Sequence, residues 1–299
     1  MIKKTKEIIA MLTIFTDTDT DFTPQDAKEY GFKLISMPYV LKEKEIKPYV
    51  DFDKFDSHAF YQQLRDGVMP HTSAISTEEY LNYFEPEFAA GNDILYIHFS
   101  AAMSCTFDNL NKALEILKNK YPERKYYSID TKAITICSYN IVKAIGDLFK
   151  QGKSLEYVLD WAKTEVDHYA VYFYASDLRF FARSGRISNL SAVAGTLIGI
   201  HPVLTMTGKG VMTTICKVRG EKATLRKIVD VVEELADDIK NHRVIIGHAD
   251  CRPLAQKLAT MLKERLGNDL PIEYCVVNPT AGSHCGPDCI GVTFHAKRR

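Results

Sequence analysis

Leu12 to Pro24 reads LTIFTDTDTDFTP. LTIF fits a short buried strand. Three aspartates, Asp17, Asp19 and Asp21, then crowd the end of that strand. Thr23-Pro24 closes the stretch as a helix start, with threonine as N-cap and proline at the first helical position. A strand that passes through a polar turn into a helix is the first half of a strand–helix–strand unit. Whether such units recur along the chain decides the fold.

The pattern repeats through the first half. KLISMPYV (33–40), broken by Pro38, ILYIHF (94–99) and KYYSI (125–129) are further strand candidates, of the continuous apolar kind found in buried parallel sheets. Between them Ser76-Thr77-Glu78-Glu79 reads as a capping box. Leu110, Leu114 and Leu117 share one helical face; Ile141, Ile145 and Leu148 mark another helix, ending near Gly152. Ser154 caps a fourth, carrying Leu155, Val158, Leu159 and Ala162. This alternation predicts a parallel sheet covered by helices, with ligands at the carboxyl ends of its strands.

The second half is different. YAVYFY (169–174), PVLTM (202–206), VMTTICKV (211–218), RVIIGH (243–248), IEYCVV (272–277) and GVTFH (291–295) give six strand candidates. MTGKG (206–210) reads as a hairpin turn, which makes two of them antiparallel. One amphipathic helix carries Leu225, Ile228, Val232, Leu235 and Ile239. A second carries Leu254, Leu258, Met261 and Leu262 and closes at Gly267. The expected organisation is a tail over 1–11, an α/β domain over 12–167 and an α+β domain with a mostly antiparallel sheet over 168–299.

Composition sets outer limits. The chain has 299 residues, 46% hydrophobic and 25% charged, with zero formal net charge. That is a globular composition long enough for two domains, without the basic excess of a dedicated nucleic-acid surface. No apolar run nears the roughly 20 residues of a membrane span. MIKKTKEIIAMLTIF reads as a tail leading into a strand; TDTDTD stands where a signal peptide would have its cleavage site. Seven scattered cysteines without a CxxC pair suit free thiols in a reducing cytoplasm.

Several stretches carry candidate chemistry. There is no GxxxxGK[ST], GxGxxG, GxSxG or HExxH. Asp17, Asp19 and Asp21 could hold Mg²⁺, and Asp19-Thr20-Asp21-Phe22-Thr23 matches a DxDxT phosphotransferase pattern. The alternative is a solvated turn with aspartates capping amides. MPHTSAIST (69–77) offers Thr72 and Ser73, and HFSAAMSCT (98–106) offers Ser100, Ser104 and Thr106. Hydroxyls there could hold an anion or simply cap helices. RFFARSGRIS (179–188) clusters Arg179, Arg183 and Arg186 before an apolar helix, NLSAVAGTLIGI; the arginines suit carboxylate or phosphate, or a solvated turn. In GSHCGPDCIG (282–291), zinc would need His284, Cys285 and Cys289 plus a ligand such as His248, Asp250, Cys251 or Cys275. A thiol nucleophile would rely on the adjacent His284. The reading preferred from local chemistry is a glycine-shaped loop that presents His284.

Taken in order, TDTDTDF (16–22), MPHTSAIS (69–76), SAAMSCT (100–106), RSGRIS (183–188), HPVL (201–204), GHAD (247–250) and GSHCGPDCIG (282–291) resemble the DegV family of bacterial fatty-acid-binding proteins. The resemblance runs from residue 13 to the end. Here Ser100-Ala101-Ala102-Met103-Ser104-Cys105-Thr106 stands where the family has a glycine-rich SSGLSGT. Ser283 replaces a threonine, and Asp288 a glycine.

The resemblance implies two domains with a fatty acid buried between them. It implies carboxylate-binding positions at Thr72, Ser104 and His284, with Ser73 adjacent, and Arg186 near the carboxylate end and the kinase-facing surface. The expected function is to bind a long-chain fatty acid and present its carboxylate to an ATP-dependent fatty acid kinase, without catalysis or a cofactor of its own. The chain is expected to be a cytoplasmic monomer with no nucleic-acid partner, contact with a membrane surface staying open. Two rivals stand beside this: an Mg²⁺-dependent phosphotransferase using Asp19 and Asp21, and a zinc-binding protein built on His284, Cys285 and Cys289.

Overall fold

A computed structural model describes residues 11–186 and 199–299. β1 (Leu12–Asp17) ends in a 3-10 turn, Thr18–Thr20, and continues through α1 (Pro24–Tyr30) to β2 (Lys33–Ile35). Next come β3 (Tyr39–Leu41), β4 (Lys44–Ile46), α2 (Ser57–Arg65), β5 (His71–Thr72) and α3 (Thr77–Ala89). β6 (Asp93–His98), a 3-10 turn over Ala101–Met103, α4 (Thr106–Lys120), β7 (Tyr126–Asp130), α5 (Ile136–Lys150) and α6 (Leu155–Glu165) complete the first half. The second half runs β8 (Tyr169–Tyr174), α7 (Leu178–Ser184), β9 (Ile200–Met206), β10 (Met212–Arg219) and α8 (Glu221–Leu235). It finishes with β11 (Val244–His248), α9 (Arg252–Leu266), β12 (Ile272–Val276), α10 (Pro279–Cys285) and β13 (Ile290–His295).

Three sheets result. The first is parallel, in the order β2-β1-β6-β7. The second has the order β10-β9-β8-β13-β11-β12 and is antiparallel except for the β11–β12 pair. A small sheet, β4-β3-β5, is antiparallel. The fold class read from the sequence is therefore the one observed. In the parallel sheet the chain leaves β1 toward β2 and leaves β6 toward β7, so the crevice between β1 and β6 is the switch point at which open α/β sheets bind ligands. Here Asp17 stitches that crevice shut, its Oδ2 accepting from Phe99 N at 3.2 Å and from Tyr96 Oη at 3.0 Å.

The second sheet is covered on both sides, which is why its strands read as unbroken apolar runs. Along β8, Tyr169 and Val171 join the core shared with the parallel sheet, whereas Ala170, Tyr172 and Tyr174 join a second core under α8 and α9. Ile245 of β11 faces the first core, and Val244 and Ile246 face the second.

Local signals behaved as their chemistry dictates. The side chain of Thr23 accepts from Asp26 N and Asp26 reaches back to Thr23 N, a complete capping box with Pro24 inside it. Ser76 accepts from Glu79 N at 3.1 Å, but the Glu79 carboxylate pairs with Lys47 at 2.9 Å, so only half of the expected box forms. The single strand expected over 33–40 is two strands in different sheets. Pro38 lacks a donor, and Met37 N donates sideways to Thr18 Oγ1 at 2.8 Å. α8 stops at Leu235 short of Ile239, where Ala236 bridges to Ala296 and Asp238 takes a positive φ of 45°. Of the apolar helix expected over 189–200, only Gly199 and Ile200 are described, and Ile200 opens β9.

Candidate functional site

A cavity of about 960 Å³, its open mouth included, lies between the parallel sheet and the second sheet. Its body is apolar: Phe99 and Met103 from the segment after β6, Ile134 from the loop before α5 and Ile136 at the first position of α5, and Val171, Phe173, Met206 and Met212 from the second sheet. Thr72, Ser73, Ser104, Arg186 and His284 all line it as well. Five positions from four distant segments therefore share one pocket.

His284 does not sit in a loop. α10 spans it, and the expectation of a glycine-shaped loop is corrected accordingly. Asn278-Pro279 gives the same cap-and-proline start that Thr23-Pro24 gives α1, so the signal was present in the sequence. Asn278 Oδ1 accepts from Ala281 N at 2.9 Å. Asn278 is itself anchored, its N and Nδ2 donating to Asp21 Oδ1 at 2.9 and 2.7 Å. Thr280 Oγ1 donates to the Met37 carbonyl at 2.7 Å, and Tyr61 Oη to the Val277 carbonyl at 2.9 Å. The helix that carries His284 is thus held by the first half of the chain. Gly282 is needed for close approach: a Cβ there would lie 2.6 Å from Tyr61 Oη. Gly286 ends the helix at a φ of 71°. Asp288, where the resemblance expects glycine, also takes a positive φ, 59°, tolerable for aspartate. Its Oδ1 accepts from Arg65 Nη2 at 2.7 Å, while Arg65 Nη1 reaches Asp250 at 2.6 Å.

At the polar end, Thr72 Oγ1 and His284 Nε2 are 3.1 Å apart and hydrogen-bonded. Burial, with Arg186 and then Arg183 nearby, pushes the imidazole down to about 4. It is neutral at pH 7 and able to donate one hydrogen bond. Ser104 Oγ accepts from Thr106 N at 3.2 Å, which leaves its proton available. Ser73 Oγ instead donates to Glu45 at 2.6 Å. Arg186 braces the site through the Met103 carbonyl, Nε at 3.2 Å, and the Ser184 carbonyl, Nη1 at 2.6 Å. Arg183 donates to the Met69 and Pro70 carbonyls just before β5. The two arginines tie the end of α7 to the loops that carry Thr72 and Ser104.

Other candidates lie elsewhere or do other work. Arg179 is exposed and paired with Asp177 at 2.7 Å. Ser100 Oγ donates to the Gly210 carbonyl, and Thr106 Oγ1 accepts from Ile75 N. Asp17, Asp19 and Asp21 are buried, which corrects the solvated-turn reading. Burial raises Asp17 and Asp21 to about 7 and Asp19 well above the ordinary carboxylate range. Cys285 and Cys289 are buried and line the cavity. A hydrogen bond with Cys285, together with burial, holds Cys289 well above the usual thiol range. Among the described residues no group of three His, Cys, Asp or Glu side chains is arranged to hold a metal ion. Among the described residues the zinc reading therefore lacks a ligand set. The sequence reading missed Asn278, Thr135 and the apolar lining of Ile134, Ile136, Met206 and Met212.

The fold is that of an α/β protein with a pocket between two sheets. The chain belongs to the DegV family, whose model, described as "Uncharacterised protein, DegV family", matches residues 11–297. A DegV domain-containing protein of Clostridium perfringens is 29% identical over 282 residues, 94% of this chain and 96% of that protein. The fold is shared with a fatty-acid-binding DegV family protein from Thermus thermophilus: TM-score 0.82, 24% identity, 96% of this chain and 99% of that one. A stearic-acid-binding protein from Eubacterium ventriosum aligns with TM-score 0.83 at 18% identity over 96% of this chain and 99% of that one. No helix among the described residues is long and apolar enough to cross a membrane.

Proposed function

We propose that this chain binds a long-chain fatty acid in the cavity between its sheets and presents the carboxylate to an ATP-dependent fatty acid kinase. The observation that carries the reading is the apolar cavity with Thr72, Ser104, Arg186 and His284 gathered on its wall. A tail of about 14 methylenes at ~0.8 kcal/mol each gives ~11 kcal/mol of gross burial, from which ordering and association subtract a large share. The carboxylate cannot follow the tail into an apolar pocket unpaired. Hydroxyl donors from Thr72 and Ser104 and an N–H from neutral His284 satisfy it once the carboxylate replaces the bond between Thr72 and His284; Ser73 borders that set. The matching proteins described as binding fatty acids support the ligand class.

The chain is a carrier with no catalysis or cofactor of its own, organised as 12–167 and 168–299, monomeric and cytoplasmic. Phosphoryl transfer needs the carboxylate oxygen in line with the γ-phosphate. A kinase docked over the mouth meets that demand, and Arg186 is the residue assigned to that surface. Native mass spectrometry of purified protein should release a fatty acid. In a reconstituted assay the chain alone with ATP and Mg²⁺ should make no acyl-phosphate, and Arg186→Ala should reduce kinase-dependent turnover more than fatty-acid affinity. Acyl-phosphate made by the chain alone, or equal loss of both properties, overturns the assignment.

A further inference from the structure

The cavity has a second polar spot that a plain alkyl chain does not use. Asp19 lines it with 7% of its surface exposed, and its Oδ1 is buried without a hydrogen-bond partner. Beside it, Thr135 also lines the cavity, and Thr135 N donates to the Asp19 carbonyl at 2.8 Å. The Thr135 hydroxyl makes no capping bond to α5, although Thr135 is the residue before that helix. Thr135 holds φ 53° and ψ −135°, a left-handed conformation that a β-branched residue adopts only when its surroundings impose it. Such strain concentrates at functional positions.

The spot is carried by other segments than the carboxylate end: the turn after β1 and the start of α5, against β5 and α10. Asp21, two residues beyond Asp19, anchors Asn278 at the start of α10, whereas His284 is in its last turn. Thr280 and His284 both line the cavity and are separated by four helical residues, about 6 Å at 1.5 Å per residue. Asp19 and His284 line the same cavity, so a ligand held at His284 shares that space with Asp19.

The chemistry of the spot narrows the ligand. A second anion would meet the carboxyls of Asp17, Asp19 and Asp21 there, and among the described residues no cation acts on Asp19 to pair with it. A methylene laid against the unpartnered Asp19 oxygen would strip it of water and return nothing. A hydroxyl can accept from a protonated carboxyl or from the Thr135 hydroxyl and donate to the other. Burial, reinforced by Asp17 and Asp21, raises Asp19 well above the ordinary carboxylate range, which favours its protonated, donating form.

We propose that Asp19 and Thr135 form a polar subsite that selects a long-chain fatty acid bearing a hydroxyl group within its chain. The inference rests on the fatty-acid reading above and narrows it to a ligand class. The test is displacement of a fluorescent fatty acid from the delipidated full chain by stearic acid and by a positional series of monohydroxystearic acids. At least one isomer should bind about tenfold tighter than stearic acid, the size of one satisfied against one stranded buried hydrogen bond. Asp19→Leu should remove or reverse that preference, and Asp19→Asn, which keeps a donor and an acceptor, should retain it. Stearic acid binding as well as every isomer in the native chain overturns the subsite and leaves the carrier intact. So does a preference unchanged in Asp19→Leu. Should Asp19→Leu fail to fold, a preference lost in Asp19→Asn overturns the subsite and one retained supports it. Absence of binding by any fatty acid overturns the carrier and the subsite together.

Discussion

Replacing Asp21 by Asn should flatten part of the pH dependence of stability while leaving the helix that carries His284 in place. In the folded chain the Asp21 carboxyl is buried and raised from 3.8 to about 7, burial outweighing the two hydrogen bonds from Asn278. The folded state then binds more protons than the unfolded state between those values, so stability falls as pH rises through that window. The contribution of this carboxyl is fully present below the unfolded value, and its loss is complete above the folded one. At 1.36 kcal/mol per tenfold change in proton affinity, Asp21 alone removes roughly 3 kcal/mol between about pH 4.5 and about pH 8. An asparagine at 21 still offers its carbonyl to Asn278 N and Nδ2, and it has no proton to lose. Urea unfolding of both proteins across that range is the assay. The stability difference between the native chain and Asp21→Asn should change by a few kcal/mol with pH, with the variant the more stable at alkaline pH. Parallel pH profiles, or a variant less stable at every pH by more than about 2 kcal/mol, refute the reasoning: the first means that Asp21 is already ionised, the second that the carboxylate charge itself holds α10.

Two further outcomes rest on the same geometry. His284→Ala and Thr72→Ala should each weaken fatty-acid binding by about 1–3 kcal/mol, the effect of losing one donor to a charged acceptor, while Cys285→Ser and Cys289→Ser should change little; fluorescent fatty-acid displacement reads all four. Gly282→Ala drives a Cβ to 2.6 Å from the hydroxyl of fully buried Tyr61, so thermal unfolding should show a loss of about 1–3 kcal/mol from overpacking, with affinity falling alongside because α10 shifts.

Much of the fold was written locally. Thr23-Pro24, Ser154, Gly267 and the MTGKG turn each act within a few residues, through caps, a missing donor or a tight turn, so they could be read one at a time. The buried strands announced themselves because a parallel or two-sided sheet demands continuous apolar runs. The resemblance located Thr72, Ser104, Arg186 and His284, yet the sequence alone offered no reason for them to meet. They come together because β5, the turn after β6, the end of α7 and α10 converge on one cavity, and that convergence depends on contacts between residues far apart in the chain: Asp21 with Asn278, Arg183 with the Met69 and Pro70 carbonyls, Arg186 with Met103. The TDTDTD stretch shows the limit most clearly. Three aspartates in a row of polar residues look solvated, and only tertiary packing buries them; Phe99 and Tyr96 supply donors to Asp17, and Asn278 to Asp21, from other segments. Burial is set by the whole chain, and with it the protonation state of an acid and the chemistry it can offer a ligand.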